Sequence, residues 1–258
     1  MKITLKKAFK MLLPHGIVVL LKNYNTYKEK HLNRNQKEFD FDVIFSVGNF
    51  CRPAYYLKKH ELRSYANPLD WMMLYSLETV VHLYETKFND FFVNFSIDEQ
   101  RDHCFLDTKN NITSIHYQDI SHNNKAFSDK MKKRFMTLNK KLEKANKICF
   151  ISQRNESQNI FSDFLEKMGN IYSGEITLIN IKHNEEIDGI ILPIKCSKKK
   201  ISERLELIEY EFNDIHPNGD NESNPDSWIG NFHLWNNVIR KISLKMSFVS
   251  YLLKSDEY

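Results

Sequence analysis

The sequence predicts an α/β protein with a mostly parallel central sheet and helices on both faces. Three short apolar segments, each bounded by polar residues, have the length and composition of buried strands; they are 42–47, 147–152 and 175–181. Between them lie segments with apolar residues at three- and four-residue spacings, as expected for helices that pack on a sheet. Strands and helices that alternate in this way form parallel βαβ units.

The composition fits one large domain. The chain has 258 residues, of which 41% are hydrophobic, 13% aromatic and 27% charged, enough for a full core and an ordinary charged surface. Seven glycines and six prolines are few for a linker-rich or repeat architecture. We therefore expect a single α/β domain over residues 39–258, preceded by an N-terminal extension over residues 1–38.

The first strand leads into a turn and a helix that present a cysteine. The strand over 42–47 is followed by Gly48, and Pro53 suits the first turn of a helix, so the helix begins at about Cys51. The helix dipole and free backbone N–H groups favour a thiolate at this position and can also hold an oxyanion. Cys51 is therefore the candidate nucleophile. The alternative is a small buried hydrophobic residue at a strand end.

The middle of the chain supplies a candidate base. A turn over 67–71 precedes a helix over 74–88, and a later strand over 112–117 has His116 near its end. Strand ends converge on one edge of a parallel sheet. We therefore expect His116 to lie near Cys51 and to act as general base and acid.

Two acidic residues are candidates for the carboxylate that orients the imidazole. Asp119 follows His116 by three residues, and Asp70 lies in the turn after the Cys51 helix. Asp70 can equally cap the helix that follows it. His122 is the second choice for the base.

The remaining segments continue the alternation of helices and strands. The predicted helices are 125–147, 156–168 with Gly169 as its C-terminal cap, and 228–239; the predicted strands are 190–192 and 205–212. The helix over 125–147 carries nine Lys and Arg and two acidic residues. It is either a solvated face or a surface for an anionic carrier. Nucleic-acid binding is not expected, because aromatic residues are not interleaved along it.

Residues 1–22 form a basic, partly apolar segment. Lysines flank the apolar stretches 11–13 and 17–21, and neither stretch approaches the roughly 20 residues that span a bilayer. No small-residue cleavage site follows, so we expect neither a signal peptide nor a transmembrane helix. The segment either lies on an anionic membrane surface or docks on its own domain.

The cysteines indicate a reducing compartment. Cys51, Cys104, Cys149 and Cys196 include no C-x-x-C pair, so neither a disulfide framework nor a zinc knuckle is expected. The histidines lack metal-ligand spacing, and dinucleotide and phosphate-loop motifs are absent from the sequence. We expect no metal and no cofactor, and a cytoplasmic location with contact to the inner membrane as an alternative.

The residues around Cys51 resemble a known family. The run Phe-Ser-Val-Gly-Asn-Phe-Cys at 45–51, the Leu-Arg pair at 62–63 and Asn-Pro-Leu-Asp-Trp at 67–71 are similar to the DUF1796 family of bacterial proteins, named for papain-like cysteine peptidases. In that family a Gly-x-x-Cys-like turn precedes a helix and a Pro-Phe-Asp-Trp segment follows, where this chain has Leu69 for Phe. The resemblance extends more loosely through His116 to about residue 240.

The resemblance implies a Cys–His hydrolase with Cys51, His116 and Asp70 or Asp119 at its site. The acidic motif after the family's histidine is altered here to Tyr-Gln-Asp at 117–119. The N-terminal segment also resembles the leader of bacterial capsule and lipopolysaccharide enzymes, which implies surface-polysaccharide biosynthesis. The same pair would then serve an acyltransferase that modifies a sugar. A non-catalytic member of such a locus is the competing class.

Overall fold

A central β-sheet and two smaller sheets, joined by helices, make up the computed structural model. The structure describes residues 15–28, 37–63, 65–98, 104–117, 124–221 and 223–245. The helices are α1 (His15–Tyr27), α2 (Arg52–Lys59), α3 (Leu77–Glu85), α4 (Asn124–Leu142), α5 (Gln158–Ile171) and α6 (Phe232–Ile239). The strands are β1 (Phe39–Phe41), β2 (Val43–Ser46), β3 (Met72–Met73), β4 (Phe95–Ile97), β5 (Phe105–Asp107), β6 (Ile112–Ser114), β7 (Lys147–Gln153), β8 (Glu175–His183), β9 (Lys195–Lys200), β10 (Leu205–Phe212) and β11 (Ile242–Leu244).

The central sheet has five strands in the order β2-β7-β8-β10-β9. The first four strands in this order pair in parallel, and β9 pairs antiparallel with β10. The predicted α/β class is confirmed, but the sheet is mixed rather than mostly parallel. The difference arises because residues 201–204 join β9 to β10 as a hairpin, a connection that only antiparallel strands permit.

Helices cover both faces of this sheet. Successive residues of a strand point to opposite faces, so Phe150 of β7 packs with α3, α4 and α5, whereas Ile151 packs with α2 and α6. Because both faces are covered, β7 and β8 are buried along most of their length. This explains their nearly continuous apolar sequences, which made both strands predictable.

A separate antiparallel sheet, in the order β3-β6-β5-β4, lies in the middle of the chain. The predicted strand over 112–117 is shorter than expected, since β6 spans Ile112–Ser114, and it pairs with β3 and β5. The expectation that His116 belongs to the same sheet as the Cys51 strand was therefore wrong. Strands of two or three residues have too few alternating positions to stand out in a sequence.

The helix predicted over 74–88 begins later, at Leu77. Leu74 has a φ of 63°, which a right-handed helix does not allow. Ser76 then caps α3, because its side-chain oxygen accepts a hydrogen bond from the backbone N–H of Thr79 at 3.0 Å.

Other predicted bounds also differ from the structure. The basic helix over 125–147 ends at residue 142, and the segment 190–192 forms no strand and is exposed. Gly169 lies inside α5, where a Cβ would approach a Leu205 methyl carbon to 3.1 Å, so it allows close helix–sheet packing rather than capping. Trp228 precedes α6 in a separate 3₁₀ turn.

Of the predicted N-terminal extension, the structure describes residues 15–28 and 37–38, which include α1. Tyr27, at the end of α1, is buried. Of the described helices, none is both long and apolar enough to cross a membrane. The division of the chain at residue 38 stays a prediction.

Candidate active site

The turn between β2 and α2 places Cys51 at the N-terminus of a helix. Pro53 occupies the first turn of α2, as its fixed φ favours, and the first helical hydrogen bond runs from the Tyr55 N–H to the Cys51 carbonyl. The earlier N–H groups of the helix consequently lack an intrahelical acceptor and are available to a ligand. The sequence prediction for this strand, turn and helix is confirmed.

Gly48 allows the turn after β2 to pass close to the start of α2. A Cβ at this position would lie 2.5 Å from Cγ of Pro53. We expect Gly48→Ala to lower the free energy of unfolding by about 1–3 kcal/mol, since the added methyl group displaces the start of α2. Urea unfolding measures the loss, and alkylation of Cys51 should change in rate at the same time. An unchanged unfolding midpoint together with an unchanged alkylation rate would show that the turn tolerates the methyl group.

Cys51 and His116 lie side by side at the wall of a large cavity. The Cys51 Sγ and the His116 Nε2 are 3.8 Å apart. Cys51 follows a strand of the central sheet, whereas His116 follows a strand of the separate antiparallel sheet. Cys51 is buried and His116 is exposed. Both line a cavity of about 950 Å³, large enough for a substrate of several residues.

The thiol and the imidazole are both neutral at rest. Burial, and secondly the negative charge of Asp70, raise the pKa of the Cys51 thiol to about 11, against a smaller opposite effect of the Cys51 backbone N–H. Desolvation by the protein atoms around its ring lowers the pKa of His116 from its ordinary value of 6.5, although the residue as a whole is exposed. The backbone groups at the helix N-terminus favour the thiolate, as the sequence indicated, but desolvation has the larger effect on the pKa of Cys51.

Asp70 is fully buried behind the pair and is bound by other groups. Its Oδ2 accepts hydrogen bonds from the Asn67 backbone N–H at 2.9 Å and from Arg63 Nη1 at 3.2 Å. Burial raises the pKa of Asp70 to about 6, although Arg63 and the Asn67 N–H lower it. Asn67 in turn donates to the Ser46 carbonyl at the end of β2, at 2.7 Å. The Asn67 side chain thus fastens this turn to the central sheet, Asp70 stabilises the turn from within, and the described hydrogen bonds of Asp70 do not include one to His116.

An aromatic ring contacts the imidazole instead. The rings of Trp71 and His116 meet edge to face, with centroids 5.3 Å apart and an interplanar angle of 79°. Trp71 has a φ of 69°, a backbone conformation that costs free energy for a bulky residue and recurs at functional sites. The turn that contains Asp70 thus positions Trp71 against the imidazole. The other predicted candidates, Asp119 and His122, lie outside the described residues.

A buried ion pair forms a further part of the cavity wall. The Asp214 carboxylate accepts hydrogen bonds from Arg52 Nη1, from Gln153 Nε2 at 2.7 Å, from Trp235 Nε1 at 2.8 Å and from the Asn231 backbone N–H at 2.9 Å. Burial raises the pKa of Asp214, and the charge of Arg52 and the hydrogen bonds from Asn231 and Trp235 oppose this shift. The residue after the candidate nucleophile is thereby held in one position.

Gly230 permits this ion pair. It has a φ of 64°, and a Cβ there would lie 2.5 Å from Asp214 Oδ1 and 2.6 Å from Arg52 Cζ. The backbone therefore passes against the guanidinium, and the Trp228 carbonyl accepts from Arg52 Nε at 2.8 Å. This segment fixes the indole of Trp228, 44% exposed, at the cavity.

Sequence reasoning missed most of the cavity wall. The missed residues follow the carboxyl ends of parallel strands, as Cys51 does: Gln153 and Arg154 at β7, His183 at β8 and Asp214 after β10. The rule that singled out Cys51, applied to every predicted strand, would have found them. Within the described ranges, no group of three or more His, Cys, Asp and Glu side chains is arranged to hold a metal ion.

Comparison with known proteins gives one match. Searches of curated proteins and of solved structures find no similar protein. A family model matches residues 42–184, more than half of the chain, and the matched region contains Cys51, Asp70, His116 and Asp119. The chain therefore belongs to the family described as "Putative papain-like cysteine peptidase (DUF1796)".

Proposed function

We propose that this chain is a cysteine hydrolase in which Cys51 attacks an acyl carbonyl and His116 is the general base and acid. The observation that carries the proposal is the 3.8 Å separation of Sγ and Nε2 at a cavity that can admit a substrate. Family membership supports a peptidase. The free N–H groups of α2 support acyl chemistry, since they can stabilise the oxyanion.

The reaction proceeds through a thioester. His116 Nε2 takes the Sγ proton as the sulfur attacks the carbonyl carbon, and the oxyanion lies against the N–H groups at the start of α2. The imidazolium then gives its proton to the departing nitrogen or oxygen as the bond to the carbonyl carbon breaks. In the second half a water loses its proton to Nε2 and attacks the thioester, which releases a carboxylic acid and restores the Cys51 thiol.

A hydroxyl in place of water would make the same site an acyltransferase. One observation favours this second candidate: the half-exposed Trp228 offers an apolar indole face at the cavity, on which the apolar face of a sugar acceptor could lie. A role in surface-polysaccharide assembly belongs to this second candidate.

The test of the proposed function uses the purified chain with a panel of peptides, esters and thioesters, with and without sugar acceptors. Hydrolysis or transfer that is lost in Cys51→Ala supports a thiol enzyme, and product analysis separates acid from acylated sugar. If no member of the panel forms an acyl adduct on Cys51, the chain is a non-catalytic member of its family.

The pH dependence follows from the two neutral groups. The active form needs a neutral His116 imidazole and a Cys51 that still carries its thiol proton. This form is therefore abundant between the lowered pKa of His116 and the raised pKa of Cys51, about 11. We expect kcat/KM to fall as the pH drops through the lowered pKa of His116, and to stay level on the alkaline side until the pH approaches the Cys51 pKa of about 11. A preformed thiolate–imidazolium pair would instead lose activity on the alkaline side as the imidazolium loses its proton, and that result would contradict the neutral pair.

A further inference from the structure

Helix α1 presents an apolar stripe to solvent. Four apolar residues lie on one face of this helix, because Leu20, Leu21 and Tyr24 follow Ile17 by three, four and seven residues. Their exposed fractions are 43%, 48%, 46% and 43%. Neither hydrophobic cluster of the described residues includes any of them. Contiguous exposed apolar side chains of this kind mark an interaction surface.

Exposure differs between the stripe and the last residue of α1. Tyr27 is 7% exposed, whereas Leu20 and Leu21 are about half exposed. Burial is thus confined to the C-terminal end of α1, and Ile17, Leu20 and Leu21 keep nearly half of their surface in solvent.

The charge around α1 has one sign. The first 28 residues contain six lysines and no Asp or Glu. The rest of the chain holds 31 of the 37 Lys and Arg and all 33 Asp and Glu, so it is slightly acidic. Lys22 and Lys28 are exposed; Lys28 lies in line with the stripe beyond its C-terminal end, whereas Lys22 lies on the opposite side of the helix. An apolar stripe within a wholly cationic segment is complementary to an apolar layer beneath anionic groups.

We propose that α1 docks in the plane of an anionic membrane surface. The stripe enters the boundary between headgroups and acyl chains, and the lysines contact anionic lipid headgroups. A soluble protein partner would complement the apolar stripe, but it would leave the one-sided charge of the segment without a role. The proposal is independent of the chemistry at Cys51.

The test is co-sedimentation of the full chain with vesicles of phosphatidylcholine alone or with 30% phosphatidylglycerol. We expect binding to the anionic vesicles that weakens at least tenfold between 0.05 and 0.5 M NaCl. The double variant Leu20→Asp/Leu21→Asp should bind at least tenfold more weakly, and Lys28→Ala, which removes the lysine in line with the stripe, about fivefold more weakly. Met136→Asp, on α4 and 58% exposed, is the matched control and should bind like the wild type, as should Cys51→Ala.

Three results would overturn the proposal. The first is no binding to anionic vesicles at low salt, and the second is equal binding to both vesicle types without salt dependence. The third is a wild-type dimer in light scattering that Leu20→Asp/Leu21→Asp dissociates, without vesicle binding, because the stripe would then be a contact between copies of the chain. Apart from Cys51, the altered side chains are exposed, so thermal unfolding should be unchanged in the variants of α1 and in Met136→Asp, which separates loss of binding from loss of fold.

Discussion

Replacing Cys51 with alanine is expected to remove acyl transfer, and replacing His116 with alanine to slow it by about 10²–10⁴. The effect of His116 should lie in this range because the thiol, with a pKa of about 11, supplies almost no thiolate by itself at neutral pH. Without a base 3.8 Å away the sulfur must lose its proton to water. The double variant should be no slower than Cys51→Ala, because the two groups act as a unit.

The control for this series is His82→Gln. His82 is exposed, pairs with Asp90 at 2.7 Å and lies outside the cavity wall, so it should leave the rate unchanged. Equal rates for the wild type and His116→Ala, in an assay that requires Cys51, would assign the base to another residue.

Replacing Asp214 with alanine is expected to lower the free energy of unfolding by about 3–5 kcal/mol. The Arg52 guanidinium would then remain in a largely buried position without its counter-ion, and three further donors would lose their acceptor. Because Arg52 directly follows Cys51, the N-terminus of α2 should also shift. Denaturant unfolding measures the first effect, and the rate of Cys51 acylation reports the second.

Asp226→Ala is the matched control for the buried carboxylate. Asp226 is exposed and its side chain makes no capping hydrogen bond, so its loss should change stability by less than about 0.5 kcal/mol. If Asp214→Ala proves as stable as Asp226→Ala, the Arg52–Asp214 pair does not hold the cavity wall.

The central strands and the Cys51 turn could be predicted because their signals are local. A strand buried on both faces must be apolar at nearly every position, and a Gly and a Pro on either side of Cys51 define the turn and the helix start. The antiparallel β9 gave no such signal. Its four lysines are exposed at the edge of the sheet, where charge discourages pairing with another chain, so its sequence resembles a loop.

The candidate site could be predicted only in part, because contacts between distant parts of the chain bring the other site residues to Cys51. His116 lies near Cys51, yet the reason given for this proximity, a shared sheet, was wrong. The link runs through the turn that Asn67 fastens to β2 and through the ring of Trp71. The pairing of Arg52 with Asp214 joins residues 162 positions apart, which no local pattern encodes.

Acylation of the four cysteines by an activated thioester, followed by acid quenching and peptide mass spectrometry, tests the central claim most directly. Access alone would favour Cys196, the exposed cysteine, over the buried Cys51, Cys104 and Cys149. If Cys51 is the nucleophile, its adduct forms first, forms more slowly in His116→Ala, and disappears with time as water cleaves the thioester. Faster labelling of Cys196, with Cys51 unmodified or its rate unaffected by His116→Ala, would contradict the proposed role of the pair.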